Sequence, residues 1–216
     1  MLNIRKCEEE QKRLAPKVVL RDDFSGIKAI GGAEAYIVDG KAMACVVVCD
    51  ASTLEVKEKA FASGIIGERF MPEFRAYREG PLLGEALSAL RKKPDVMIFS
   101  GDGVLHPRRI GLAAHLGVLF DIPSLGVARE PLCGETKGGF VYLDGEKLAQ
   151  LVKTREHANP VCVSPGHRMS LATAASLVKG SIREPHKMPE PLHLAHKFAK
   201  KELNAIRKPA YSNSKP

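Results

Sequence analysis

The sequence predicts an α/β fold, a mixed sheet flanked by helices, and three observations carry this. Residues 27–61 hold strand-like apolar runs with a tight turn between the first two. Residues 96–128 alternate strand, helix and strand. Helical stretches with one apolar face lie before and after that unit. In chain order, residues 2–15 read as a polar, exposed helix. Residues 27–38 read as a strand, Asp39-Gly40 suits a hairpin turn, and Lys41–Asp50 supplies the next strand through Ala42–Cys49. A third strand over Thr53–Phe61 completes an antiparallel meander. A helix is expected from about Pro81 to Lys92, because Leu82, Leu83, Ala86, Leu87 and Leu90 share a face and Pro81 fits a first turn. The strand Val96–Phe99, the helix Ile110–Phe120 and the strand Ser124–Ala128 form a β-α-β unit, which requires parallel pairing. Phe140–Leu143 and Val161–Val163 read as further strands, and Leu171–Val178 as a helix capped by Ser170. Residues 1–203 are expected to form a single domain. Residues 204–216 lack an apolar pattern and are expected to be a flexible tail.

The chain has 216 residues, 44% of them hydrophobic and 27% charged, which is a globular composition. Its formal net charge of +8 favours a polyanionic partner, nucleic acid first. With no Trp and 6% aromatic residues, a stacking platform for single strands is disfavoured. The five cysteines, Cys7, Cys45, Cys49, Cys133 and Cys162, form no CxxC pair, and an odd number fits a reducing interior. Neither a signal peptide nor a membrane-length apolar run is visible, so a cytoplasmic monomer is expected.

The richest stretch is Ser100-Gly101-Asp102-Gly103-Val104-Leu105-His106-Pro107-Arg108-Arg109, directly after the apolar run Val96–Phe99. Polar groups at the end of a buried strand sit where α/β folds place their chemistry. A carboxylate, a histidine and two arginines there suit a metal-bound phosphodiester; they also fit a solvated loop. Arg108 and Arg109 have the planar fork that grips phosphate. His186, His193 and His196 lack partners at metal-ligand spacing and read as surface residues.

In order along the chain come Phe70-Met71-Pro72, Tyr77-Arg78-Glu79-Gly80-Pro81, Gly103 to Arg109, Gly111-Leu112-Ala113, Pro123 to Val127, Leu132-Cys133-Gly134-Glu135, Val163-Ser164-Pro165-Gly166-His167 and Met188-Pro189-Glu190-Pro191. With these segments, spread over roughly residues 10–200, the chain resembles the endonuclease V family, DNA-repair nucleases that cut near deaminated purines such as deoxyinosine. The resemblance implies a ribonuclease H-like fold and Mg²⁺-dependent (or Mn²⁺-dependent) phosphodiester hydrolysis, with DNA or RNA containing deaminated bases as the partner. It assigns Glu79 to the metal and His167 to the family histidine near the site. Phe70, Met71 and Pro72 match the wedge that fills the gap left by an extruded base. Gly103, Gly111 and Leu112 match a base pocket. His106, Arg108, Arg109 and Arg129 fall on nucleic-acid contacts, with Arg129 standing where the family usually has Lys.

Two family carboxylates are missing. Aligned without gaps, one metal-binding Asp falls on Ala33 and the other on Ser100. A methyl group is no ligand, and a neutral hydroxyl is a poor one for a hard cation. Glu34 and Asp102 are the candidate replacements. Strand alternation turns Glu34 to the opposite face unless a bulge at Gly31-Gly32 rotates it. Asp102 keeps the parity of Ser100 and needs its flanking glycines to fold it back. If active, the chain is expected to use Glu79, Asp102 and Glu34 as metal ligands and His167 to position water, with metal binding weakened or absent. Three readings stay open: an endonuclease V-type hydrolase with impaired catalysis, a non-catalytic module that binds lesions or RNA, or a ribonuclease H-like domain with another substrate.

Overall fold

The computed structural model describes residues 2–207. A nine-stranded sheet runs in the order β3-β2-β1-β4-β5-β9-β8-β7-β6. The meander is β1 (Ala29–Val38), β2 (Lys41–Asp50) and β3 (Val56–Ile65), antiparallel throughout. The β4 strand (Val96–Ser100) lies parallel to β1, and β5 (Ser124–Ala128) parallel to β4, as the β-α-β pattern requires. The remaining strands, β6 (Glu135–Lys137), β7 (Phe140–Leu143), β8 (Glu146–Val152) and β9 (Val161–Pro165), pair antiparallel, with β9 against β5.

Helices cover both faces because the strands carry apolar groups on both. On one face Ala33, Met97 and Phe99 pack against Leu83 and Leu87 of α3 (Gly80–Ser88) and Leu112 and Leu116 of α4 (Leu112–Phe120). The α1 helix (Ile4–Leu14) joins through Leu14, beside Ile110 and Ala114. On the other face Ile30, Val96 and Ile98 meet Ala174 and Val178 of α5 (Leu171–Gly180) and Leu192 of α6 (Glu190–Arg207). Farther along, α6 lays Ala195, Ala199 and Leu203 on Met43, Cys45 and Val47. Ser170 caps α5, its side chain accepting from the Thr173 N–H. The short α2 (Arg75–Arg78) precedes α3.

Three expectations need correction. The β1 register is unbroken from Ala29 opposite Asp50 to Val38 opposite Lys41, so Gly31-Gly32 forms no bulge. Those glycines serve close packing instead: a Cβ on Gly32 would collide with the backbone of Pro191. The strands β6 and β8 were not anticipated. The expected tail begins inside a helix, since residues 204–207 belong to α6; residues 208–216 lie outside the described residues.

Candidate functional site

The C-terminal ends of β4 and β5, beside the middle of β1, open into a cleft of about 340 Å³ lined by Glu34, Arg75, Ser100, Arg129, His193 and His196, among others. Parallel strands end together here, which is where sheets of this type gather function. Strand alternation sorts the carboxylates. Ala33 faces α3 and α4 and is fully buried. Glu34 faces α6, where its Oε1 lies 2.9 Å from His196 Nδ1. The His196 ring is fixed edge-on against Tyr36, with centroids 5.5 Å apart. Glu34 therefore shares the cleft with Ser100 but is held by its own histidine.

Glu79 lies at the junction of α2 and α3, 3% exposed. Both carboxylate oxygens are taken. Arg75, one helical turn earlier, donates Nε at 3.1 Å to Oε1 and Nη2 at 2.7 Å to Oε2, while Arg78 Nη1 lies 3.3 Å from Oε1. Arg75 Nη2 also donates to the Ser100 carbonyl at 2.8 Å. Burial works against the charge on Arg75, yet the hydrogen-bonded Glu79 holds its pKa above the ordinary arginine value.

The loop after β4 turns on Gly111 N–H to Gly103 carbonyl and Ala113 N–H to Asp102 carbonyl bonds of 2.8 and 2.9 Å. Asp102 is 8% exposed and does not line the cleft, and burial pushes its pKa up to about 6 against the pull of Arg75. Among the described residues, no three His, Cys, Asp or Glu side chains converge as a metal-binding group. The family's divalent ion needs unpaired hard oxygens. Here Ala33 has none, Ser100 offers a neutral hydroxyl, and Glu79 and Glu34 are already paired. The residues present do not fit that ion.

Several sequence-derived assignments do not join the cleft. His167 sits at the other end of the sheet. Because β9 runs antiparallel to β5, the segment after Pro165 lies beside the start of β5, and the Ser124 N–H donates to the His167 carbonyl at 2.9 Å. His167 Nδ1 accepts from the Val19 N–H at 3.3 Å, and its Nε2 lies 3.5 Å from Asp121. His106 is 1% exposed, its Nε2 bonded to the Glu73 carbonyl at 3.0 Å and its Nδ1 accepting from the Arg108 N–H at 3.1 Å. Arg108 bonds Gln11, Glu8 and Glu73 and stacks on Phe74. Arg109 bonds Glu146, Asp144 and the Leu143 carbonyl. Leu112 is core, 2% exposed. Gly103 and Gly111 make room for the chain itself: a Cβ on Gly103 would strike the Pro165 carbonyl, and one on Gly111 would lie 2.6 Å from the Asp102 carbonyl.

Other assignments are accessible. Phe70 is 54% exposed with the Arg78 guanidinium 5.5 Å above its ring, Pro72 is exposed, and Met71 is half-buried. Arg129 is exposed at the cleft mouth and forms no ion pair among the described residues. His193 and His196, read from sequence as surface residues, are half-buried and line the cleft, their i, i+3 spacing putting both on one face of α6. Sequence reasoning missed Arg75, which the Arg-x-x-x-Glu spacing to Glu79 does signal.

A family model for endonuclease V matches residues 12–197. Endonuclease V of Dictyoglomus thermophilum is 35% identical over 202 residues, covering 90% of this chain and 88% of the relative. The crystal structure of human endonuclease V matches with a TM-score of 0.86 at 30% identity, over 95% of this chain and 100% of that one. Ciona intestinalis endonuclease V, crystallised with a 24mer DNA containing an inosine followed by a ribo-adenosine, matches with a TM-score of 0.86 at 28% identity, over 94% and 99%. The ribonuclease H-like architecture and the order of the sequence motifs agree with these matches. This chain belongs to the endonuclease V family.

Proposed function

We propose that this chain binds DNA or RNA carrying deaminated purines such as inosine, and that metal-dependent phosphodiester hydrolysis is impaired in it. The observation that carries this reading is the loss of both aspartates, with Ala33 and Ser100 in their places and the one nearby substitute, Glu34, bonded to His196. Binding is supported by the net charge of +8 and by the relative crystallised with inosine-containing DNA. In this reading the exposed Phe70, Met71 and Pro72 wedge into the strand, and Arg129 contacts its backbone at the cleft mouth. Glu79 lies behind the cleft and holds Arg75, which lines it. The protein acts as a monomer in the cytoplasm. The five cysteines, all free, support a reducing compartment. No helix among the described residues is long and apolar enough to cross a membrane.

The test is an inosine-containing oligonucleotide incubated with the protein and Mg²⁺ or Mn²⁺, read for both nicking and gel shift. A shift without nicking in either metal is the expected result. Robust nicking that disappears in Glu79→Ala overturns the impaired-catalysis half of the reading. Absence of any shift at low salt overturns the binding half. A pure binding module is the limiting case, favoured by the two guanidinium groups already on Glu79.

A further inference from the structure

We propose that the Arg75 guanidinium stands in for the divalent ion and holds the phosphodiester of a bound strand without metal. Arg75 lies between Glu79 and the end of β4, the position where the family resemblance puts the cation. Its donors divide cleanly. Nε and Nη2 are spent on Glu79 and the Ser100 carbonyl, whereas Nη1 has no hydrogen-bond partner among the described residues. That nitrogen lies over Gly101, where a Cβ would come within 3.0 Å of it. The Arg75 side chain is 21% exposed and lines the cleft beside Arg129.

The charge balance agrees. One Glu79 carboxylate faces two guanidiniums, Arg75 and Arg78, leaving a surplus positive charge at this end of β4. Glu34, which lines the same cleft, is bonded to His196. The two free N–H groups of Nη1 match phosphate oxygens, and a charge-assisted bond of that kind is among the strong ones. A guanidinium also lacks the metal-bound water that an ion supplies for attack, so the same substitution grips a strand and leaves it uncut. This inference rests on the proposed nucleic-acid binding and adds the group that replaces the metal.

The experiment is fluorescence anisotropy of a labelled inosine-containing single strand, titrated in EDTA, in Mg²⁺ and in Mn²⁺. Wild type is expected to bind with the same Kd, within about twofold, in all three. Arg75→Leu combined with Glu79→Gln, which avoids stranding a buried carboxylate, is expected to weaken binding about tenfold in EDTA, with Arg75→Lys in between. Circular dichroism establishes that each variant is folded, and Arg75→Lys keeps the question answerable if the double variant is not. Metal that tightens wild-type binding several-fold overturns the inference. So does a folded double variant, or Arg75→Lys in its place, that binds as wild type does. In both cases the proposed function survives. A wild type that binds no strand in any condition removes that function, and this inference with it.

Discussion

Two buried ionisable residues oppose one another in acid. His106 is held neutral by burial, its pKa lowered from 6.5 to about 4. Its contribution is complete above the unfolded value and is lost as pH falls toward the folded value, a change of roughly 3 kcal/mol. Asp102 is raised from 3.8 to about 6, so its ionisation costs stability as pH rises through that window, again by roughly 3 kcal/mol. The wild-type contributions largely cancel, and single variants separate them. Asp102→Asn is expected to stabilise at pH near 7 relative to wild type, with the gain vanishing near pH 4. His106→Gln is expected to destabilise near pH 7, with the loss shrinking in acid. Urea denaturation at the two pH values checks both, and a pH-independent difference for either variant contradicts its assignment. Little of this was legible in sequence. His106 and Asp102 were visible as polar residues in a loop, but the loop is held by the segment around Glu73 and by β9, both distant in the chain. The place of His196 in the cleft escaped for the same reason: its partner Glu34 lies 162 positions away.

At the scale of elements, the pattern of apolar residues carried most of the architecture, and failures fell where that pattern is weak. The meander and the β-α-β unit were readable because their inward residues are continuous apolar runs. The strand β6 is a three-residue edge piece exposed throughout, and β8 opens with two exposed charged residues, so neither carries a strong alternating signal. Residues 204–207 read as tail because this last turn of α6 faces solvent, with Ile206 61% exposed. What holds α6 is its seat on β1 and β2. Gly32→Ala is expected to destabilise the protein by about 1–3 kcal/mol, because a methyl group there meets the backbone of Pro191. Leu203→Ala is expected to cost about 2–5 kcal/mol, whereas Ile206→Ala stays within about 0.5 kcal/mol. Thermal or urea unfolding of the three variants is the check; equal effects at positions 203 and 206 contradict the packing described.

Across the whole molecule, a positive balance is not the same as a positive surface available to a strand. Arg108 and Arg109 looked like phosphate ligands in sequence, but each is committed to carboxylates of its own chain. Arg129 is exposed and forms no ion pair among the described residues. Arg129→Ala is therefore expected to weaken strand binding and lower the salt dependence of log K by about one unit of slope. Arg108→Ala is expected to lower stability by about 1–3 kcal/mol with its salt slope unchanged, because that side chain packs on Phe74 and bonds Gln11 and Glu73. Affinity measured across a salt series separates the two, and reversed roles contradict the placement. At this scale the motif order revealed the family, and the residues at 33 and 100 revealed its departure from the family pattern. How Glu79 is occupied required three dimensions.

The most direct measurement of that departure is a Mn²⁺ titration of the intact protein followed by the EPR signal of the free ion. With Glu79 clamped by Arg75 and Arg78 and no aspartate at 33 or 100, the signal should rise with added Mn²⁺ as it does in buffer, up to millimolar ion. Stoichiometric uptake of Mn²⁺ at micromolar concentration, abolished by Glu79→Gln, would show a working metal cradle and contradict this account.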